Sequence, residues 1–470
     1  MTPMLRSSAR LAGLLGAVAV ALAAPVAVSA HSLTASYTSR LPLAVYLAGA
    51  AATVALSFIF VLVRDVRAER PDTSDPGRLP PAWLRLTLRA IGLVGWLWIM
   101  VQGVVGGSSA AEVTTLFLWV YGWIGLAIVC ALVGPAWHFI DPFSTLFDIG
   151  AWVVRRAGIP TWDLAAYPER LGRWPAVIAF VVVVWLELVL RAGPDALFIV
   201  VVGYTALTLA MMAQYGRDTW RSNGEVFTVW FRLLGGLAPY ALADEDGRVR
   251  RRPFFGGLLE PGWTVADVVI VALGVSSILY DGLSQTQIFF GLFGLPSLLG
   301  QTVLMLGFLG IVVLAALLVT RYVGVAATGA GLVPIALGYL VAHYFTYLVI
   351  DGQRIVVAIS DPLQSGADLF GTAFYEPSAA WLPPGLVWTL QLGAVVGGHM
   401  LGAWAGHVVA SLDAPTELAG RPLTVRQVPL ALVMVALTTL TLWSLGQAIV
   451  VNPEEGGSPA ADHAVATSRG

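Results

Sequence analysis

Two of the six histidines stand where an imidazole is least expected. His343 lies in Val341-Ala342-His343-Tyr344-Phe345 and His399 in Gly397-Gly398-His399, each inside an apolar run long enough to cross a bilayer. An ionisable group in hydrocarbon is costly and therefore faces a partner or a cavity. At a rise of about 1.5 Å per residue, His343 sits roughly 10 Å below the outer end of its predicted helix, and His399 roughly 20 Å below the outer end of its own. Helix tilt would level them. Two neutral imidazoles from adjacent helices can ligate a transition metal or the two faces of a haem. Each can equally hydrogen-bond a neighbouring helix, and the sequence leaves both readings open.

The remaining candidates are weighed in the same way. His407 follows His399 by eight residues, which on a regular helix is a turn of about 80° and a rise of about 12 Å, so the two cannot share one ion. His138, after Trp137 in a loop, reads as structural. His31 is chemically sharper. Cleavage after Ala30 would give it a free amine beside its imidazole, a copper chelate that would still need a further ligand such as His343. Among the acids, Asp281 ends a predicted span in Tyr280-Asp281-Gly282, Asp267 opens the same span, and Glu187 stands four residues before Arg191, a spacing for an ion pair. A carboxylate beside histidines is what metal-assisted hydrolysis needs, as ligand or as general base. The sequence holds no Walker A loop, HExxH, GxSxG or dinucleotide fingerprint, so ATP-driven and serine-hydrolase chemistry has no support.

The elements that must carry these residues are transmembrane helices. Of 470 residues 57% are hydrophobic and 11% charged, against about a quarter charged in soluble proteins. Net charge is −2, which gives no case for a nucleic-acid partner. Cys130 is the only cysteine, so neither an intramolecular disulfide nor a thiolate cluster can form. Arg6 and Arg10, the apolar stretch 11–28 and Val28-Ser29-Ala30 read as a signal peptide over 1–30. Ten spans follow, at 41–63, 90–106, 113–134, 174–190, 197–213, 263–280, 301–320, 327–350, 386–410 and 428–450. The second, fourth and fifth are short.

All 26 basic residues are arginine, and with an outer N-terminus 20 of them fall in segments on the inner side. The inner loops lie near 64–89, 135–173 and 214–262, and the last of these is predicted to carry an interfacial helix through Phe227, Trp230, Phe231 and Leu234. The helical domain occupies 31–451, and the acidic tail 452–470 is predicted to be disordered on the outer side.

Several stretches together resemble a known family. Gly216-Arg217-Asp218-Thr219-Trp220 precedes Gly224-Glu225-Val226-Phe227-Thr228-Val229-Trp230-Phe231; Tyr280-Asp281-Gly282-Leu283-Ser284, Ala342-His343-Tyr344-Phe345 and His399 with Gly402 and His407 follow in order. With Ala30-His31 and Ile140-Asp141-Pro142-Phe143, this series resembles multi-pass bacterial membrane proteins labelled fenitrothion hydrolase. The resemblance implies hydrolysis of an organophosphorus ester in the bacterial inner membrane, with His31, Asp281, His343, His399 and His407 at the matching positions. Where the family pattern has Asp after the last histidine, this chain has Val408.

The expectation is therefore an all-α polytopic bundle with the lipid bilayer, and in addition a membrane-protein subunit, as partners. The expected site is an outer-facing pocket with Asp281 and His343 as catalytic groups and His31, His343 and His399 as ligands of a divalent transition metal, copper or zinc ahead of haem. Two other readings stand beside it: a transporter or permease, for which Gly329, Gly331, Gly397, Gly398, Gly402, Gly406 and Pro334 would allow close packing or helix irregularity, and a haem- or copper-binding membrane subunit.

Overall fold

The computed structural model describes residues 69–106, 112–159, 164–414 and 421–445, together with isolated positions between 49 and 56. Eight of the described helices are long and apolar enough to cross a membrane. They include α1 (Ala82–Val105) and α2, the continuous helical stretch Val113–Leu132, whose middle Leu116–Gly125 is π-helical. Between α2 and the next long helices lie α3 (Pro142–Arg156) and the short α4 (Trp174–Leu188). Then come α5 (Pro194–Tyr215), α6 (Arg217–Asn223), α7 (Val226–Leu234) and a hairpin of β1 (Tyr240–Leu242) with β2 (Val249–Arg251), Tyr240 opposite Arg251. The last part holds α8 (Val265–Ser284), α9 (Leu298–Val323), α10 (Val325–Ile350), α11 (Pro384–Asp413) and α12 (Arg421–Leu445). The all-α membrane bundle expected from composition is thus the architecture found. At the predicted fourth span stands α4, an apolar helix of 15 residues that is shorter than the eight long helices. The signal segment 1–30, nearly all of the first predicted span and the tail 452–470 lie outside the described residues.

Chain direction alternates, and cross-links show which helix ends meet. Asp148 of α3 accepts from Arg217 at 2.8 Å and pairs with Arg89, joining the start of α1 to the start of α6. Asp267, in the first turn of α8, pairs with Arg173 just before α4 and with Arg232 of α7. Asp413, closing α11, pairs with Arg70, and Arg78 bridges to Val249 of the hairpin. The arginine-rich segments therefore gather at one end of the bundle. At the other end Trp98 and Gln102 of α1 bond Pro362 O, and Tyr121 bonds Gly352 O at 2.6 Å.

The predicted interfacial helix is corrected. Phe227, Trp230, Phe231 and Leu234 recur at helical spacing on α7, but all are buried, and Trp230 stacks among Trp123 and Phe180 in the bundle. Its N-terminus is closed by Glu225, which accepts from Phe227 N and Thr228 N. Tyr204 OH donates to the same carboxylate at 2.6 Å and Trp137 Nε1 at 3.1 Å. A carboxylate so fully bonded is a structural plug that lets a helix begin inside the protein.

Helix α8 is the most enclosed span, buried from Ala266 to Tyr280, and starts in a reciprocal cap between Thr264 and Asp267. Beside it, α10 and α11 meet through glycine. A Cβ built at Gly402 would lie 2.4 Å from Gly331 O, one at Gly398 would lie 2.7 Å from Pro334 O, and one at Gly406 would lie 3.3 Å from Ala327 O. These three glycines repeat every four residues, so one face of α11 presents bare backbone to α10, the small-residue packing that lipid favours. Gly397 has open space around its Cβ position. Gly402→Ala should therefore lower the thermal midpoint of the detergent-purified protein, at a cost of about 1–3 kcal/mol for a forced core contact. Gly397→Ala should leave it unchanged or slightly higher, and equal responses from the two variants would show that the interface is not closed by glycine.

Candidate functional site

Asp281 lies in the last turn of α8, three residues before its end. His343 Nε2 sits 2.8 Å from Asp281 Oδ2, and Tyr344 OH donates to the same oxygen at 3.1 Å. Gln285 Nε2 donates to Oδ1 at 2.7 Å. The carboxylate thus receives two groups from α10 and one from just beyond α8. Gly282 lies against α12: a Cβ there would sit 3.3 Å from Ser444 Oγ, and in ordinary contact, 3.7 Å, with His343 Cε1. The site is not sealed: the Asp281 and His343 side chains are 15% and 20% exposed.

Depth explains why this pair forms. Asp281 and His343 both lie within two turns of the C-terminal end of their helices, and α8 and α10 run in the same direction. Glu187, in the last turn of α4, reaches the same level, and Tyr344 OH lies 3.3 Å from its Oε1. The i,i+4 pair of Glu187 with Arg191 does not form: α4 ends at Leu188 and Arg191 is left-handed at φ 47, so the helical spacing has ended before the arginine is reached. Sequence reasoning missed Tyr344, Gln285 and the Glu187–Tyr344 contact as parts of the site. Tyr344 was visible within the quoted motif, but nothing in the spacing said which carboxylate its hydroxyl would meet.

His399 belongs elsewhere. Its Nδ1 bonds Val395 O at 2.8 Å, which makes Nδ1 the donor, and its Nε2 faces Tyr339 OH at 3.4 Å. Tyr339 is one turn deeper on α10 than His343, so His399 meets α10 below the Asp281 site. His407 is engaged by Gln427 Oε1 at 2.8 Å, a bond between α11 and α12. His138 has Arg221 NH2 3.2 Å from its Nδ1, and burial, reinforced by the Arg221 and Arg217 charges, pulls it down to about 3. It stays neutral, in keeping with the structural role expected of it.

The donors expected to hold a metal can be tested against this geometry. His343 Nε2 is taken by Asp281, and both nitrogens of His399 have partners. Among the described residues no three His, Cys, Asp or Glu side chains are gathered as ligands for an ion. A metal centre is therefore not assembled by the described residues alone; His31, the other expected ligand, lies outside them.

A second polar region occupies the other end of α8. Asp267 is about 21 Å along the helix from Asp281 and borders a cavity of about 410 Å³ walled by Trp137, Phe231 and Trp263, with Arg221, Arg232 and Arg252 around it. Each of these arginines is paired, Arg221 with Asp141, Arg232 with Asp267 and Arg252 with Glu260.

Tyr339→Phe removes the donor facing His399 and leaves a buried ring nitrogen unpaired, a change worth about 1–3 kcal/mol. The thermal midpoint should fall by several degrees while chemistry at Asp281 and His343 is unaffected. An unchanged midpoint would show that the hydroxyl does not bond His399.

No family model matches this chain, and neither a curated protein nor a solved structure matches it significantly.

Proposed function

We propose that the chain is a membrane-embedded hydrolase whose acid–base centre is the Asp281–His343 pair, acting on an ester admitted from the outer side of a bacterial inner membrane. The observation that carries this reading is the 2.8 Å contact between a carboxylate and an imidazole that both keep an exposed edge. With Nε2 donating to Asp281, the neutral ring holds its lone pair on Nδ1. His343 Nδ1 takes a proton from water as the water oxygen forms its bond to the ester centre. The bond to the leaving oxygen then breaks, and that oxygen recovers the proton from the imidazolium. Asp281 fixes the tautomer and stabilises the ring while it is charged; Gln285 and Tyr344 hold Asp281 in place. The family resemblance of the motifs carrying Asp281 and His343 directs the substrate class to organophosphorus esters.

A second reading has its own observation. Glu187, Tyr344, Asp281 and His343 form an unbroken series of contacts. Tyr344 has one phenolic proton and two carboxylates before it, so a further proton on Glu187 completes the series. Carboxylate and histidine chains of this kind serve proton movement in membrane transporters.

The decisive measurement is turnover of a chromogenic organophosphorus ester by the full chain in detergent. His343→Gln and Asp281→Asn should each lower kcat/KM by about 10²–10⁴-fold, the range for general acid–base groups, with thermal midpoints near that of the parent. Activity retained in both variants would remove the pair from catalysis. If the parent shows no turnover but takes up solute into vesicles under a pH gradient, with Glu187→Gln and Tyr344→Phe uncoupled, the transport reading stands instead.

A further inference from the structure

Helices α3 and α4 each run for 15 residues, about 22 Å, which is short of the roughly 30 Å hydrocarbon core, but α4 leads from the arginine-rich end to the level of Tyr344 whereas α3 does not. The chain reaches it from the arginine-rich end of α2 and leaves it to enter α4 at that same end, where Arg173 pairs with Asp267. Its midpoint is tied there too, through Asp148 to Arg89 and Arg217. A helix entered and left at one end of the bundle does not cross the membrane; it lies along that end.

Its side chains divide accordingly. Phe147, Ala151 and Val154 form one half-buried face, while Ile149, Trp152 and Val153 project from the opposite face at 46%, 55% and 50% exposure. Arg156, also exposed, falls within the arc of this outward apolar face, and its guanidinium lies over the Trp152 ring at 5.6 Å. Arg155 is exposed beside it. Neither Arg155 nor Arg156 has a carboxylate partner among the described residues, whereas Asp148, the one acid of the helix, already has two arginines.

We infer that α3 is an in-plane anchor that seats Ile149 and Val153 among the acyl chains, sets Trp152 at headgroup level and binds the phosphate of an anionic phospholipid headgroup through Arg155 and Arg156. The shape fits an interfacial helix, with apolar groups on the lipid side, a tryptophan at headgroup level and cations beside it. The charge fits as well, because two planar guanidinium groups with no carboxylate partner among the described residues favour a phosphate that carries net negative charge. The role predicted for α7 is thus filled by α3, which lies at the same end of the bundle. This inference does not depend on the reaction at Asp281.

The full chain, purified in mild detergent and mixed with phosphatidylglycerol or phosphatidylcholine, can be examined by native mass spectrometry for retained lipid. The parent should retain phosphatidylglycerol preferentially. The double variant Arg155→Gln/Arg156→Gln should lose this preference by on the order of tenfold or more, with its helical circular dichroism and thermal midpoint in detergent preserved. Arg354→Gln, at the other end of the bundle, should keep it. A parent that retains both lipids equally, or a folded double variant with the parent's preference, would overturn the inference.

Discussion

The contact on which the rest of the structure depends is the approach of α11 to α10 along Gly398, Gly402 and Gly406. In lipid there is no water to expel between helices, so association rests on how closely backbones can come. Here each glycine faces a carbonyl of α10. That closeness sets α10 in place, and α10 supplies the side chains that matter on either side of it: Tyr339 toward α11, His343 and Tyr344 toward α8. A side chain on the glycine face would move all three together.

The second organising feature is the unbroken apolar burial of α8 between two carboxylates. Asp267 at one end is neutralised by two arginines and by its own helix cap. Asp281 at the other end is held by an imidazole, a phenol and an amide. The contrast is chemical. Guanidinium partners stay protonated under any ordinary condition, so the ion-pair cluster around Asp267 holds no partner that can take up or release a proton. The partners of Asp281 can give and take a proton, which is what acid–base chemistry requires, although the cavity of about 410 Å³ lies at the other end.

Much of this architecture was legible in the sequence. Long apolar runs gave eight of the ten predicted spans, because a bilayer demands a nearly fixed length of them, and arginine placement gave the common end that cross-links such as Asp148 with Arg89 and Arg217 display. Composition could not separate helices that span from those that only look amphipathic. Val226–Leu234 has the periodicity of a surface helix, yet its aromatic face and its opposite face both find protein. The site was half legible. Counting residues from the helix ends placed Asp281 at the end of its span, His343 about 10 Å in and His399 about 20 Å in, and the structure keeps the difference between the two histidines instead of levelling it by tilt. What periodicity could not supply was rotation about each helix axis, which decides that Tyr344 faces Asp281 and Glu187 while His399 faces Tyr339.

The hydroxyl of Tyr344 is a rotor with two stops. Its hydrogen can point to Asp281 or to Glu187 but not to both, and turning from one to the other needs only rotation about the C–O bond, with no movement of a helix. Each setting strengthens the hold on one carboxylate and releases the other. The imidazole bonded to Asp281 therefore feels a neighbour with two discrete electrostatic states. A bundle packed tightly enough to be rigid on the scale of helices keeps, at this one bond, a degree of freedom as small as a single hydrogen atom.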